Sequence, residues 1–179
     1  TEVEVRTASE AVKQGMALIA EDRKTQGNFA DKPVSLNTTI AGLGKLGVAL
    51  AVLLPRREER VSKELIDRLQ VKCVGPRQSI DRLSGGNQQK VLLARWLQTE
   101  SDVWLLDEPT RGVDVASKLT IHEQLRVLRD RGACLLIVSS ELEELSALCD
   151  RILVLSNRKV VATFEGGQWS NEQLLAEMF

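Results

Sequence analysis

A pair of glycines at the start of a helix-forming run is the feature that most constrains how this chain can fold. Ser84, Gly85 and Gly86 precede residues 87–97, which contain strong helix formers and neither glycine nor proline. A helix that begins there directs its unpaired N–H groups and the Ser84 hydroxyl toward an anion. Because glycine has no Cβ, a phosphate group can approach this backbone closely. The pattern therefore predicts a helix start that binds phosphate.

An apolar run that ends in two acids follows this helix along the chain. Residues 103–106 are apolar, and Asp107, Glu108 and Pro109 come directly after them. We predict a buried strand that delivers both carboxylates to the carboxyl edge of a parallel sheet. Carboxylate oxygens in that position suit Mg²⁺ binding and the activation of a water molecule.

Taken in this order, the two segments resemble motifs of the ATP-binding cassette (ABC) ATPases. Residues 83–90 are similar to the signature motif of that family, and residues 103–108 are similar to its Walker B strand. The chain then continues into a segment that resembles the D-loop, with Asp114 as its aspartate.

The residues of two short segments indicate a particular subgroup of this family. Residues 86–90 and 110–114 are similar to the second cassette of the tandem ATPase subunits that drive bacterial sugar importers. The resemblance runs from about Ala8 to Phe179 and is weakest between residues 29 and 81.

Helical and extended patterns alternate along the chain, which predicts an α/β fold with a doubly wound parallel sheet. An all-apolar strand starting at Cys134 is expected to be buried on both faces, with Cys134 in the core. Residues 55–60 read as a charged break between elements. The predicted helices include residues 9–14, 62–69 and 116–130. Two more helices are predicted to begin at capping boxes, Ser140 with Glu143 and Ser170 with Gln173. The predicted strands are 16–20, 103–106, 134–138 and a hairpin of 151–155 with 160–164.

The resemblance implies a P-loop NTPase-like (RecA-like) ABC ATPase core that is truncated at its N-terminus and carries an inserted α-helical subdomain. It assigns residues 1–27 to the core with the Q-loop region, 28–100 to the helical subdomain with the signature, and 101–179 to the remaining core. In the family, the helical subdomain contacts the membrane subunits. The alternative for the middle segment, residues 27–60, is a surface helix pair that packs on the core.

The phosphate loop G-x-x-x-x-G-K-[S/T] is absent from the sequence. Its nearest imitation is Gly42-Leu43-Gly44-Lys45-Leu46, which we reject on two grounds. Thr39 stands where the first glycine is needed, and Leu46 stands where Mg²⁺ needs a hydroxyl. Since the chain also starts with threonine, the simplest interpretation is a C-terminal fragment of a longer polypeptide.

The resemblance assigns roles to the residues that match its motifs. Asp107 matches the aspartate that holds Mg²⁺, and Glu108 matches the glutamate that polarises the attacking water. The remaining matches bind ATP, largely ATP held on the opposite cassette; they are Ser84, Gly85, Gly86, Gln88 and Asp114. The structural alternative for Asp107 and Glu108 is an acid pair that caps the next turn. The alternative for Ser84, Gly85 and Gly86 is a plain helix N-cap.

Two positions depart from the family pattern. Glu21 stands where most ABC cassettes have a Gln that senses Mg²⁺, which makes Glu21 a candidate metal-site residue. Ser140 replaces the switch histidine that contacts the γ-phosphate, and a serine is uncharged and reaches less far than an imidazole. The only histidine, His122, is expected to be a surface or packing residue.

The resemblance implies that this chain is part of a subunit that binds and hydrolyses ATP to import a monosaccharide across the inner membrane. The implied cofactors are ATP and Mg²⁺. The implied partners are a first ABC cassette, membrane-spanning permease subunits and, indirectly, a periplasmic sugar-binding protein. The expected location is cytoplasmic, on the inner face of the membrane. Without a phosphate loop, the chain alone is expected to be inactive and to donate its signature to another cassette.

Two other classes of protein stay open at this point. A DNA-maintenance or translation-factor ABC ATPase would share the signature, and a remnant of an ABC gene would bind nothing. A net charge of −1 and 43% apolar residues indicate neither disorder nor a nucleic-acid footprint. The apolar stretch 40–54 contains Lys45 and is shorter than the ~20 residues of a membrane span. Three cysteines without C-x-x-C spacing are typical of reduced thiols in the cytoplasm.

Overall fold

The helices and strands of the chain alternate as the sequence predicts. The computed structural model describes residues 4–42, 55–167 and 169–178. They form two compact units, residues 1–136 and residues 137–179. The elements are α1 (Ala8–Lys13), β1 (Met16–Ile19), α2 (Val34–Thr39), α3 (Pro55–Arg68), α4 (Gly85–Leu97), β2 (Val103–Asp107), α5 (Val115–Asp130), β3 (Cys134–Val138), α6 (Leu142–Leu148), β4 (Arg151–Ser156), β5 (Lys159–Glu165) and α7 (Asn171–Met178). Short helical turns cover Arg23–Gly27, Ile40–Gly42 and Ile80–Arg82.

A three-stranded sheet with the order β1-β2-β3 carries the acids of the predicted site. Strands β1 and β2 are parallel, with Met16 opposite Val103 and Ile19 opposite Leu106. Parallel strands end at the same edge of a sheet. The register therefore brings the residues that follow Ile19 and those that follow Leu106 to one edge.

Helix α4 is deeply buried in the first unit. Its residues Val91 to Ala94 are at most 1% exposed, and it contacts α2, α3, α5 and β1. A helix that is apolar on several faces gains stability from packing on several sides at once. This packing fixes the position of the glycine pair at its first turn.

Arg95 lies in this buried region although its guanidinium has no carboxylate partner among the described residues. It is 7% exposed and donates to the carbonyl oxygens of Gly27 and Asn37 and to the Asn37 side-chain oxygen. The guanidinium also lies 5.0 Å from the centre of the Phe29 ring, within cation–π range. Burial lowers the pKa of Arg95 to about 10, so the group stays charged at neutral pH.

Several local predictions are confirmed. Helix α1 ends before Gly15, which has a φ of +75°. The hairpin β4–β5 turns at Asn157 and Arg158, and both residues have positive φ, as a type I′ turn requires. The Ser170/Gln173 capping box forms reciprocally, because each residue's N–H donates to the side chain of the other.

The predicted break at residues 55–60 is wrong, because these residues are the first turns of α3. Proline is well suited to the first position of a helix, where its missing N–H has no partner to lose. The Arg and Glu residues that follow are good helix formers. The charge cluster is therefore the exposed start of a helix whose buried face begins at Ser62.

The expected burial of β3 on both faces is also wrong. Cys134 is exposed, and Leu136 and Val138 are each 56% exposed. These three residues alternate along the strand and so share one face. An all-apolar run has no alternation, so the sequence did not indicate which face the tertiary packing leaves open.

The capping box expected at Ser140 does not form either. Helix α6 begins at Leu142, and Glu141 is its N-cap residue. The Glu141 N–H donates to the Ser139 hydroxyl, a local turn that delays the helix start. The apolar stretch 40–54 and the rejected segment Gly42–Leu46 lie outside the described residues, except for residues 40–42.

Arg95→Ala is predicted to lower the free energy of unfolding by about 3 kcal/mol or more, because several buried acceptors lose a charged donor. Urea denaturation followed by circular dichroism measures the change. Arg126→Ala, on the exposed side of α5, is the control and is expected to stay within about 0.5 kcal/mol of the parent chain. Equal effects of the two substitutions would contradict the role given to Arg95.

Arg158→Gly is predicted to stabilise the hairpin by about 1 kcal/mol, because glycine adopts positive φ without the steric cost of a Cβ. Thermal denaturation of the chain measures the effect as a rise in Tm. Lys159→Gly, one residue later in β5, removes β propensity from a strand and is expected to lower Tm. A fall in Tm for both variants would contradict the turn assignment.

Candidate functional site

The first turn of α4 has the donors that the sequence predicts for an anion. Ser84 is the N-cap residue, but its side chain does not cap the helix. Its Oγ accepts instead from Asn87 Nδ2 at 2.8 Å, which leaves the hydroxyl hydrogen available as a donor. The first N–H groups of a helix have no intrahelical acceptors. This geometry differs from a plain N-cap, in which the serine oxygen satisfies one of those N–H groups.

Packing disfavours a side chain at both positions of the pair, and more severely at Gly86, because the group nearest Gly85 is the movable end of the Arg23 side chain. A Cβ on Gly86 would lie 2.5 Å from Ser117 Oγ and 2.8 Å from Asp114 Oδ2. A Cβ on Gly85 would lie 2.5 Å from Arg23 Nη2. The close approach of neighbouring segments is thus a second reason for glycine here, beside the predicted approach of a phosphate.

Asp114 lies beside Gly86 and is the N-cap residue of α5. Its carboxylate accepts from the Ser117 N–H at 2.9 Å and from the Ser117 hydroxyl at 2.8 Å. These bonds lower the pKa of Asp114, with a smaller contribution from the Lys90 charge. Because the folded pKa lies below the unfolded value, the cap is fully effective at neutral pH. Its contribution to stability is lost as the pH falls through the folded pKa.

Lys90 is a buried cation of the signature helix that the sequence argument missed. It is 4% exposed, and its Nζ donates to the Gln70 carbonyl at 3.3 Å. Burial lowers the pKa of Lys90, and the nearby Asp114 charge opposes that shift. A signal was present, because Lys90 follows Gly86 by one helical turn and therefore lies on the same helix face.

Gln88 is engaged within its own chain. Its side-chain nitrogen donates to the carbonyl oxygens of Ile80 and Leu83, both at 3.2 Å. The backbone carbonyl of Gln88 accepts from Asn28 Nδ2 at 3.3 Å. In this structure Gln88 therefore fixes the turn that leads into α4 and ties it to the segment after β1.

The two acids lie at the carboxyl end of β2, as predicted. Asp107 is the last residue of the strand and is half-buried, and Glu108 is also half-buried. Glu108 has a φ of +48°, a left-handed conformation that is strained for a residue with a side chain. Its carbonyl accepts from the Arg111 N–H at 3.1 Å. The chain thus turns sharply at Glu108, directly after the end of β2.

Glu21, the candidate metal-site residue, contacts Arg111 in this structure. Glu21 follows β1 and forms an ion pair with the Arg111 side chain. Arg23 also contacts this residue, since its Nη1 donates to the Arg111 carbonyl at 3.0 Å. Sequence reasoning did not single out Arg23 or Arg111.

Ser140 lies in the second unit, where it is exposed and precedes α6. His122 is 5% exposed in α5, so of the surface and packing roles expected for it the structure gives the packing role.

The chemistry of these residues fits ATP and Mg²⁺. The described residues contain no cluster of three or more His, Cys, Asp or Glu side chains that could bind a metal alone. Mg²⁺ is commonly bound by one or two carboxylates together with substrate phosphates, which the Asp107–Glu108 pair suits. The helix N-terminus at Gly85 and Gly86 suits a phosphate group. No helix in the described part of the chain has the length and apolar character needed to span a bilayer.

Comparison with known proteins agrees with this arrangement. The family model of the ABC transporter matches residues 3–111. The ribose import ATP-binding protein RbsA of Pseudomonas putida is 45% identical over 172 residues, which are 96% of this chain and 33% of that protein. The galactose/methyl galactoside import ATP-binding protein MglA 1 of Photobacterium profundum is 39% identical over 178 residues, 99% of this chain and 36% of that protein. The chain spans about a third of the length of these relatives.

Solved structures share the fold. A dimeric ATP-binding cassette in a post-hydrolysis state with ADP and Pi gives a TM-score of 0.73 at 17% identity, covering 89% of this chain and 68% of that one. An ATP-binding cassette of an ABC transporter in its ADP conformation gives a TM-score of 0.70 at 19% identity, covering 97% and 68%. The family match over more than half of the chain, the near-complete coverage by the relatives and this fold agree: the chain belongs to the ABC transporter family of ATP-binding proteins.

Proposed function

We propose that this chain is part of an ATP-binding subunit that powers the import of a monosaccharide across the inner membrane. The observation that carries the proposal is the first turn of α4, where Ser84, Gly85 and Gly86 present donors without an intrahelical acceptor. The relatives that are ribose and galactose import ATP-binding proteins support the sugar assignment. The subunit would lie on the cytoplasmic face of the membrane, with permease subunits as partners and a periplasmic sugar-binding protein as an indirect partner.

Within that subunit, the chain would donate its signature to ATP held by another cassette. The Ser84 hydroxyl and the N–H groups of Gly85 and Gly86 would bind the terminal phosphate. A hydrogen bond to such a charged group contributes ~1.5–3 kcal/mol. Gln88 and Asp114 would act with them by holding the turn before α4 and the loop before α5 in place. The partner that fits this role is the first cassette of the same or another polypeptide.

The acids would line a second site of low or no turnover. Asp107 would hold Mg²⁺, which supplies charge neutralisation at the phosphates when bound. Glu108 would accept a proton from a water molecule. Glu21 is proposed to act near the metal, although its pairing with Arg111 orients it toward the loop after β2. Ser140 would replace a histidine and could donate only one neutral hydrogen bond.

We further propose the division of the chain into core residues 1–27, a helical subdomain over residues 28–100 and core residues 101–179. Helices α2, α3 and α4 lie within the second of these segments and contact one another, which supports it. The helical subdomain would be the part that meets the permease.

The 179-residue chain by itself is predicted to release phosphate from ATP at no more than the background rate, because its sequence contains no phosphate loop. The measurement is phosphate release by the purified chain with Mg²⁺ and ATP in excess. Glu108→Gln in the same chain is the control and is expected to give the same rate. A rate above background that Glu108→Gln abolishes would contradict the proposal.

In the polypeptide encoded by the complete reading frame, Ser84→Arg is predicted to lower ATPase turnover by about a hundredfold. It would place a bulky side chain where the phosphate is received, and loss of one such donor typically costs that much. Glu108→Gln is predicted to leave most of the activity, because its site turns over slowly. The assay is steady-state phosphate release, with Ser9→Arg on the exposed face of α1 as the matched control. If Glu108→Gln abolishes turnover while Ser84→Arg is harmless, the proposed division of labour is wrong.

A further inference from the structure

Arg23 lies between the loop after β2 and the first turn of α4. It is the first residue of the helical turn that follows β1. Its Nη1 donates to the Arg111 carbonyl at 3.0 Å, and its Nη2 lies 2.5 Å from the position that a Cβ on Gly85 would take. One guanidinium thus contacts two segments that are distant in sequence and that both belong to the proposed site.

Glu21, two residues before Arg23, also contacts Arg111. Glu21 pairs with the Arg111 side chain, while Arg23 binds the Arg111 backbone. The two contacts constrain both the side chain and the carbonyl of one residue. We call this arrangement of Glu21, Arg23 and Arg111 the loop clasp.

The loop that the clasp holds lies against both glycines of the signature. The Gly112 carbonyl oxygen is 3.4 Å from the Cβ position of Gly85, and the Asp114 carboxylate is 2.8 Å from that of Gly86. A small movement of this loop would therefore change the space above the first turn of α4. The clasp connects this loop to the segment that follows β1.

The guanidinium of Arg23 lies close to the N-terminus of α4. The N-terminus of a helix carries a partial positive charge, which disfavours a nearby guanidinium. No carboxylate forms an ion pair with Arg23 among the residues that the structure describes, and its buried Nε has no hydrogen-bond partner there. The resolved polar contact of Arg23 is therefore its hydrogen bond to the Arg111 carbonyl.

We infer that Arg23 is a positioning residue that holds the Arg111–Gly112 loop at a fixed spacing from the first turn of α4. The inference rests on the proposed function, since the spacing matters where that turn receives the phosphate. Arg23 acts through the loop and the glycine pair, and it needs no contact with the nucleotide.

The test uses Arg23→Gln in the polypeptide of the complete reading frame, with Lys24→Gln as the control. Lys24 is the exposed neighbour and carries the same charge. Amide hydrogen exchange of peptides covering residues 109–114 is expected to rise about tenfold or more in Arg23→Gln, from the loss of a charge-assisted hydrogen bond. ATPase kcat is expected to fall about tenfold with KM within twofold, as when a bound complex is misaligned. Lys24→Gln is expected to change neither quantity.

Gly85→Ala gives an independent measurement of the same contact. Its Cβ would displace the Arg23 guanidinium, so this variant is expected to raise exchange of residues 109–114 as Arg23→Gln does. The double variant is expected to be no worse than the more severe single variant, because both remove one contact. If the two substitutions raise the exchange of residues 109–114 additively in the double variant, the inference is overturned.

The outcomes separate this inference from the proposed function. Unchanged exchange at residues 109–114 in Arg23→Gln overturns the clasp, whatever the ATPase rate. Raised exchange with unchanged kcat also overturns the inference, because Arg23 would then be merely structural. If Ser84→Arg leaves the ATPase intact, the proposed function fails, yet exchange still reports whether the clasp exists. Arg23→Lys, which keeps one donor for the Arg111 carbonyl, is expected to recover part of kcat and replaces Arg23→Gln if that variant does not fold.

Discussion

The buried guanidinium of Arg95 is the interaction on which the described first unit depends most. A charge in that environment is stable only when its donors are satisfied, and Arg95 meets this need with the carbonyls of Gly27 and Asn37. These acceptors belong to the turn after β1 and to α2, so one side chain joins α4 to both. The position of α4 relative to the segment after β1 is thereby set by hydrogen-bond geometry as well as by apolar packing.

That constraint has a direct consequence at the other end of the helix. Because α4 cannot shift, its first turn presents Gly85 and Gly86 at a defined place beside the loop after β2. The loop is held from one side by Glu21 and Arg23 and from the other by Asp114, which caps α5. The donors of the first turn are therefore positioned by three segments that lie far apart in sequence, which is the preorganisation that the proposed phosphate recognition requires.

Local sequence signals were reliable where a short-range interaction decides the structure. The Ser170/Gln173 capping box, the Asn157-Arg158 turn and the glycine stop at Gly15 depend on contacts within a few residues. At β3 the signals failed because distant packing decides, and nothing in residues 134–138 indicates that one face of the strand is open. At residues 55–60 the local signals were interpreted as a break, although Pro55 begins the helix that runs to Arg68. The Ser140 cap failed because the neighbouring Ser139 forms a competing turn.

The sequence by itself determined the family, the alternating α/β order and the identity of the chemical groups, because glycines, a serine and paired acids at fixed spacing are local facts. Only the tertiary structure decided which groups meet. Glu21 pairs with Arg111, which lies 90 positions later in the sequence. The Arg23 guanidinium lies beside Gly85, and Arg95 and Lys90 are buried cations. Such contacts depend on how helices and strands pack together. The free energy of that packing is the sum of many weak long-range contacts, and no short motif records it.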